Sequence, residues 1–304
     1  MIWNFKEAHY VEDKEKGIAG ASYSLKKELS LIPGYLLLVT WVGFTAVILI
    51  WVVAASLSTP ADIFKGTIFE FSSGIHFENY SRAWVSSNVS VFFLNSLLYA
   101  AVSCAFLILI CAPYSYVLQR FNFPGAKVIK TALAATTGVP VIMVIIPLYM
   151  IVAQAGLLRA EMTNRIVLIA LFVATKIPYT TIFLMAYFEN ISRSYEEAAA
   201  IDGCRPTKTF WRIVFPMAQG GLVTVTIFNF INIWNEYFLS LMFVNSDKLR
   251  PVALGLFSMI NGMQYSGDWS GLFASVIIVF LPTFILYLLL SKYIVGGLTG
   301  GVKG

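Results

Sequence analysis

Residues 91–118 read VFFLNSLLYAAVSCAFLILICAPYSYVL, a run without one charged side chain. An α-helix rises about 1.5 Å per residue, so about 20 such residues cross the roughly 30 Å hydrocarbon layer of a bilayer. Five more windows of the same kind surround it, at about 35–57, 132–152, 166–187, 222–244 and 272–295. Lipid offers no hydrogen-bond partner to the backbone, so each window is expected to be a helix, whose bonds are internal. A transmembrane barrel would alternate apolar and polar residues in segments of about ten, and no such alternation occurs here. The fold class expected is all-α: a polytopic membrane protein with six transmembrane helices.

Composition points the same way. Of 304 residues, 58% are hydrophobic and 12% charged, against roughly 45–50% and 25% in soluble domains. The net charge of +5 does not indicate a nucleic-acid partner, because the basic residues are dispersed between apolar runs. They sort by side instead. Of the 21 Lys and Arg, fourteen fall on one side of the spans, six on the other, and Lys176 lies inside a span. The richer side is expected to be cytoplasmic, which places both termini there. The organisation expected is a cytoplasmic segment 1–31, one transmembrane domain 32–295 and a cytoplasmic tail 296–304. The long external connections are 58–90 and 245–271. Glu7, Glu12, Asp13, Glu15 and Glu28 do not suit a cleavable signal, so the first apolar run reads as a retained span.

Several residues invite chemistry without supplying it. Cys104, Cys111 and Cys204 have no metal-ligand spacing and read as packing cysteines. His9 and His76 fall on opposite expected sides, so neither suggests a metal site. Pro140 and Pro147 fall in the third window, Pro178 in the fourth and Pro282 in the sixth. They read either as tolerated curvature or as part of a pathway that opens and closes.

Between the fourth and fifth windows, 190–216 is too polar to span and too patterned for a linker. Ser194 and Glu197 have the spacing of a capping box. Ala198, Ala199 and Ala200 give a slim helical surface, and Gly203 allows a turn. Pro206 suits the first turn of a second short helix carrying Phe210, Trp211, Ile213 and Val214. The segment is expected to be a small helical knob, or else an amphipathic elbow on the membrane surface.

Taken as Glu197, Ala198, Ala199, three residues, Gly203, nine residues, Ile213, one residue, Phe215 and Pro216, the segment resembles the cytoplasmic signature of permeases in ATP-binding-cassette importers. Phe215 stands where that family usually has leucine, and Gly220 and Gly221 stand near a common further proline. The resemblance implies a coupling-helix pair docking on an ATPase subunit through Glu197, Ala198, Ala199, Asp202, Gly203, Ile213 and Pro216. The chain has no G-x-x-x-x-G-K-[ST] phosphate loop, so ATP chemistry must come from a partner. No cofactor, metal or catalytic residue is expected in this chain; ATP and Mg would be held by the partner ATPase subunits.

In the fifth window Thr226, Asn229, Asn232, Glu236 and Ser240 recur at helical spacing and would share one face. An ionisable residue inside a span usually faces the bundle interior or a wet cavity, so Glu236 is a candidate for the pathway or its gate. The asparagines, including Asn235, read equally as pathway residues or as interhelical hydrogen-bond glue. Trp234 and Tyr237 beside them suit a hydroxyl-rich ligand. Lys176 reads as a snorkelling lysine or a carboxylate's partner.

The run 234–243 resembles a segment of the maltose-type branch, which imports di- and oligosaccharides and related polyols, and the tail 296–304 resembles that of the smaller permease of that branch. That likeness implies a tail whose Gly301, Val302 and Lys303 touch the ATPase subunits. It also implies a second, non-identical permease, two ATPase subunits, an external solute-binding protein, a sugar substrate and a prokaryotic plasma (inner) membrane. Importers of other polar solutes such as glycerol phosphate are the near alternative. An ion-coupled transporter should show matched halves with interrupted helices, and a membrane enzyme a convergent set of ionisable groups; neither pattern is seen.

Overall fold

The computed structural model describes residues 25–299, and side chains for 31–262, 265 and 267–291. It divides into two units, Met1–Val52 and Val53–Gly304. The described part of the first unit lies wholly in helix α1 (Leu25–Ser56), which carries no charge from Leu31 onward. In the second unit follow α2 (Pro60–Lys65), α3 (Glu78–Val85), α4 (Val89–Arg120), α5 (Ala126–Thr137), α6 (Val141–Gln154) and α7 (Glu161–Glu189). Then come α8 (Ser194–Ile201), α9 (Pro206–Thr209), a π turn (Phe210–Val214), α10 (Phe215–Met217), α11 (Gln219–Trp234) and α12 (Phe238–Phe243). A 3-10 turn (Asp247–Leu249), α13 (Val252–Ser266) and α14 (Trp269–Thr299) close the chain, and no strand occurs among the described residues.

Among the described residues, four helices are long and apolar enough to cross a membrane: Leu31–Ser56, Val89–Arg120, Glu161–Glu189 and Trp269–Ser291. Two bent pairs raise the number to six if each is one span. The third window is thus not the continuous helix expected over 132–152. Helices α5 and α6 meet there at 100°. Pro140 is the residue before α6, in extended conformation, and lies in no helix. The cause is local: Pro140 has no amide to donate, and its ring pushes Val139 out of the helical region. Pro147, Pro178 and Pro282 do lie inside helices.

The fifth window, expected to be continuous over 222–244, is also interrupted. Helix α11 ends at Trp234 and α12 starts at Phe238. The two long connections expected to be external hold helices of their own: 58–90 holds α2 and α3, and 245–271 holds α13.

Helix α4 forms the spine of the second unit, lying against α7 and α11. Its buried side includes Ala100, Ser103, Cys104, Leu107, Cys111 and Ser115, mostly small residues spaced three or four apart. Small residues let helix backbones approach closely, the usual source of association where water exclusion no longer drives it. Polar atoms use that closeness. Ser115 Oγ donates to the Thr181 carbonyl (3.1 Å), Cys111 Sγ to that of Ile177 (3.9 Å) and Cys104 Sγ to that of Thr226 (3.8 Å). Cys104 and Cys111 are therefore buried packing residues.

At one end of α4, three buried polar residues grip the segment before α13. Asn95 Nδ2 donates to the carbonyls of Lys248 (2.8 Å) and Arg250 (3.0 Å), and Tyr99 Oη to that of Leu249 (2.9 Å). Ser96 Oγ accepts the Val252 amide at 2.8 Å. Asn164 of α7 holds the Phe243 carbonyl at 2.7 Å. Side chains here do for an irregular stretch what a helix would do for itself.

Candidate functional site: a helical knob and a broken span

The knob forms, though not as capped in the sequence reading. Ser194 is the first residue of α8 rather than its cap; the cap position is Arg193, and no side chain caps it. The Ser194 amide instead donates to Ser192 Oγ at 3.3 Å. The helix phase is set by tertiary anchoring rather than by local exchange. Arg120, in the last turn of α4, places Nε 2.8 Å from Glu196 Oε1 and donates from Nη2 to the Ile191 carbonyl at 2.6 Å.

Gly203 then closes α8 with φ of 73°, a left-handed conformation that strains any residue with a Cβ. Its amide donates to the Ala200 carbonyl (3.0 Å) and that of Cys204 to Ala199 (2.9 Å), satisfying carbonyls at the helix end. Pro206 takes the first position of α9 as expected, after an extended Arg205. The chain next enters the π turn, where Phe210 is buried against Tyr116 of α4 (centroids 4.9 Å apart) and Phe188 of α7 (6.3 Å).

Of the docking candidates, Glu197, Ala198, Asp202, Gly203 and Pro216 face outward, Ile213 is half-buried, and Ala199 faces the bundle. Ala199 is 3% exposed, so its small size serves the close seating of α8. Sequence reasoning passed over Ile201, which is 87% exposed beside Asp202 and Gly203. Its one signal was an isoleucine between Ala200 and Asp202 in a segment read as polar.

The interrupted fifth window explains its polar residues. Asn235 Nδ2 donates to the Ile231 carbonyl (2.8 Å) at the end of α11. Glu236 accepts the Leu239 amide on Oε1 (2.7 Å) and the Ser240 amide on Oε2 (3.3 Å). These are amides that the start of α12 leaves open, and negative charge suits that end of a helix. Both residues are thus caps of a broken span.

The polar face that the spacing predicts is divided between buried and exposed residues. Asn229 is buried and donates to Thr180 Oγ1 at 2.9 Å, joining α11 to α7. Ser240 is buried and its Oγ donates to Glu236 Oε2 at 3.3 Å. Asn232 and Asn235 instead lie exposed on this chain, and Asn232 Oδ1 accepts from Lys176 Nζ at 3.4 Å. Amides and an ammonium facing hydrocarbon would be costly, so this side belongs against protein or water. The tail candidates Gly301, Val302 and Lys303 lie outside the described residues.

Residues 105–299 match the family described as binding-protein-dependent transport system inner membrane component. The chain belongs to that family. This permease is 30% identical to the diacetylchitobiose uptake system permease protein NgcG of Streptomyces coelicolor, over 93% of its own length and 92% of the relative's. It is also 30% identical to the sulfoquinovosyl glycerol transport system permease protein SmoH of Agrobacterium fabrum, over 93% and 96% of the two chains. A chain of a bacterial ABC transporter involved in import of the acidic polysaccharide alginate shares the permease's fold, with a TM-score of 0.75 over 89% of this chain and 98% of that one at 22% identity. The permease is membrane-embedded through its apolar helices.

Proposed function

We propose that this permease imports a saccharide or glycoside through a pathway shared with a second, non-identical permease, driven by ATP hydrolysed on two partner ATPase subunits. The observation that carries the reading is the knob at 190–216. It is fastened to α4 and α7 by the Arg120 contacts and by Phe210, while its tip offers Ile201, Asp202 and Gly203 to a partner. A rigid projection with an apolar tip and acidic shoulders Glu197 and Asp202 suits a cleft on another subunit. ATP and Mg would bind there, and an external solute-binding protein would deliver substrate at the other end.

Glu197, Ala198, Asp202, Gly203, Ile213 and Pro216 make up the docking segment, seated on the bundle by Ala199, with Ile201 added at its tip. Asn232 and Asn235, with Lys176 beside them, face the shared pathway. Asn229, Glu236 and Ser240 hold that wall in shape. Gly301, Val302 and Lys303 reach the ATPase subunits from a cytoplasmic tail, with the amino terminus on the same side of a prokaryotic inner membrane. Relatives named for diacetylchitobiose and sulfoquinovosyl glycerol transport support a sugar-containing solute. Hydroxyl-rich ligands suit exposed amides near Tyr237. Glycerol phosphate is the alternative substrate class.

The test is co-purification of the tagged chain from its native host in mild detergent. The expected result is recovery of an ATPase and a second permease, with the ATPase alone lost on Ile201→Glu at equal membrane levels of the chain. Recovery of the chain without an ATPase, still transporting in liposomes without ATP, would refute the proposal.

A further inference from the structure

Glu196 and Glu197 are neighbours in the first turn of α8. Glu197 is exposed, whereas Glu196 turns back onto Arg120, and the two paired side chains are only 18% and 5% exposed. The same guanidinium holds the Ile191 carbonyl, so one side chain fixes both the turn leaving α7 and the start of α8. Tyr116 and Arg120 are four apart, on one face of the last turns of α4. Tyr116 carries the aromatic contact to Phe210, so both anchors of the knob rest on that face.

We propose that the Arg120–Glu196 pair is a coupling strut: it makes α8 move as one body with α4, so that displacement of the knob becomes displacement of a transmembrane helix. The proposal rests on the docking reading above and assigns these residues positioning roles. A water-exposed ion pair contributes little and exchanges its partners freely. A pair largely removed from water strongly disfavours separation, because either charge left alone would be desolvated and unpaired. Such a pair keeps its geometry while force passes through it. Without it, the start of α8 loses its charged tie to α4 and can tilt about the chain at Ile191, so an ATPase could move the knob with less movement of the span.

The experiment uses the full complex in liposomes with its binding protein, comparing the natural chain with Glu196→Gln and with the exchanged pair Arg120→Glu/Glu196→Arg. Three quantities are read: ATPase subunits retained, ATP hydrolysed, and solute taken up per ATP. Glu196→Gln should keep its ATPase subunits and hydrolyse ATP at a rate within about twofold, while uptake per ATP falls about tenfold, a coupling loss of ordinary size. The exchanged pair should recover part of that ratio. An unchanged ratio in Glu196→Gln overturns the strut, as does loss of the ATPase subunits from this variant, which would make Glu196 a docking contact. If the natural chain itself retained no ATPase, the docking reading would fall first.

Discussion

Replacing Gly221 with alanine tests how closely α11 lies on α7. A Cβ built at Gly221 would stand 2.4 Å from Cγ of Tyr187, and 2.5 and 2.7 Å from its Cδ2 and Cδ1. Ordinary carbon contacts lie at about 3.5–4.0 Å, so the shortfall is about 1 Å against the near end of the ring. The ring cannot yield by moving its tip alone. Overpacking of this kind costs about 1–3 kcal/mol. Removing a helical glycine returns about 1 kcal/mol at most. The net expectation is destabilisation of up to about 2 kcal/mol for Gly221→Ala, against a gain of up to about 1 kcal/mol where no clash occurs. Gly220→Ala is the control next to it. There the added carbon meets the Tyr187 hydroxyl at 2.7 Å and otherwise only Cζ at 3.7 Å, so a small movement of the ring's far end suffices. The assay is reversible unfolding in mixed detergent micelles, with Tyr187→Ala added to complete a double-mutant cycle. Equal stability of the two alanine variants, or a Gly221→Ala penalty that survives removal of the Tyr187 ring, would refute the close-approach argument.

Asn229→Ala breaks the buried bond to Thr180 and should cost about 1 kcal/mol, with a coupling to Thr180→Ala that vanishes if the two side chains do not meet. His76 makes the connection 58–90 pH-sensitive. Its Nδ1 lies 2.5 Å from Glu78 Oε1 and its Nε2 3.1 Å from the Ser73 carbonyl, so the doubly protonated ring satisfies both acceptors. The hydrogen bond to Glu78 raises the His76 pKa above the usual 6.5, and the same bond holds Glu78 below its usual 4.5. The histidine's contribution is therefore complete below pH 6.5 and lost as pH rises through the raised value, while that of Glu78 is lost only as pH falls through its lowered value. Amide-exchange protection in 57–78, corrected for the intrinsic rise of exchange with pH, should fall on the alkaline side in the natural chain and stay level there in His76→Gln; identical profiles would refute this pH dependence.

The docking segment shows where local reading succeeds and where it stops. Pro206 and Gly203 were legible because each meets a backbone demand that few other residues meet: a fixed φ at a helix start and a positive φ at a helix end. Ser194 and Glu197 matched a spacing that many non-caps also have, and the grip of Arg120 on Ile191 and Glu196 set the helix start instead. Likewise the spacing of Asn229, Asn232, Glu236 and Ser240 assumed one unbroken helix. The capping bonds of Glu236 end that phase, sending Ser240 inward while Asn232 stays out.

Apolar length, the dispersal of charge and the signature from Glu197 to Pro216 were enough to determine an all-helical membrane protein with a knob between its fourth and fifth windows. These are properties of single segments facing lipid, where the backbone has no alternative to the helix. Which glutamate turns inward and which amides face out were decided only in the tertiary structure. Each depends on residues distant in the chain: Arg120 lies 71 positions before Ile191, and Thr180 lies 49 before Asn229. Periodicity along one segment carries no information about a partner on another.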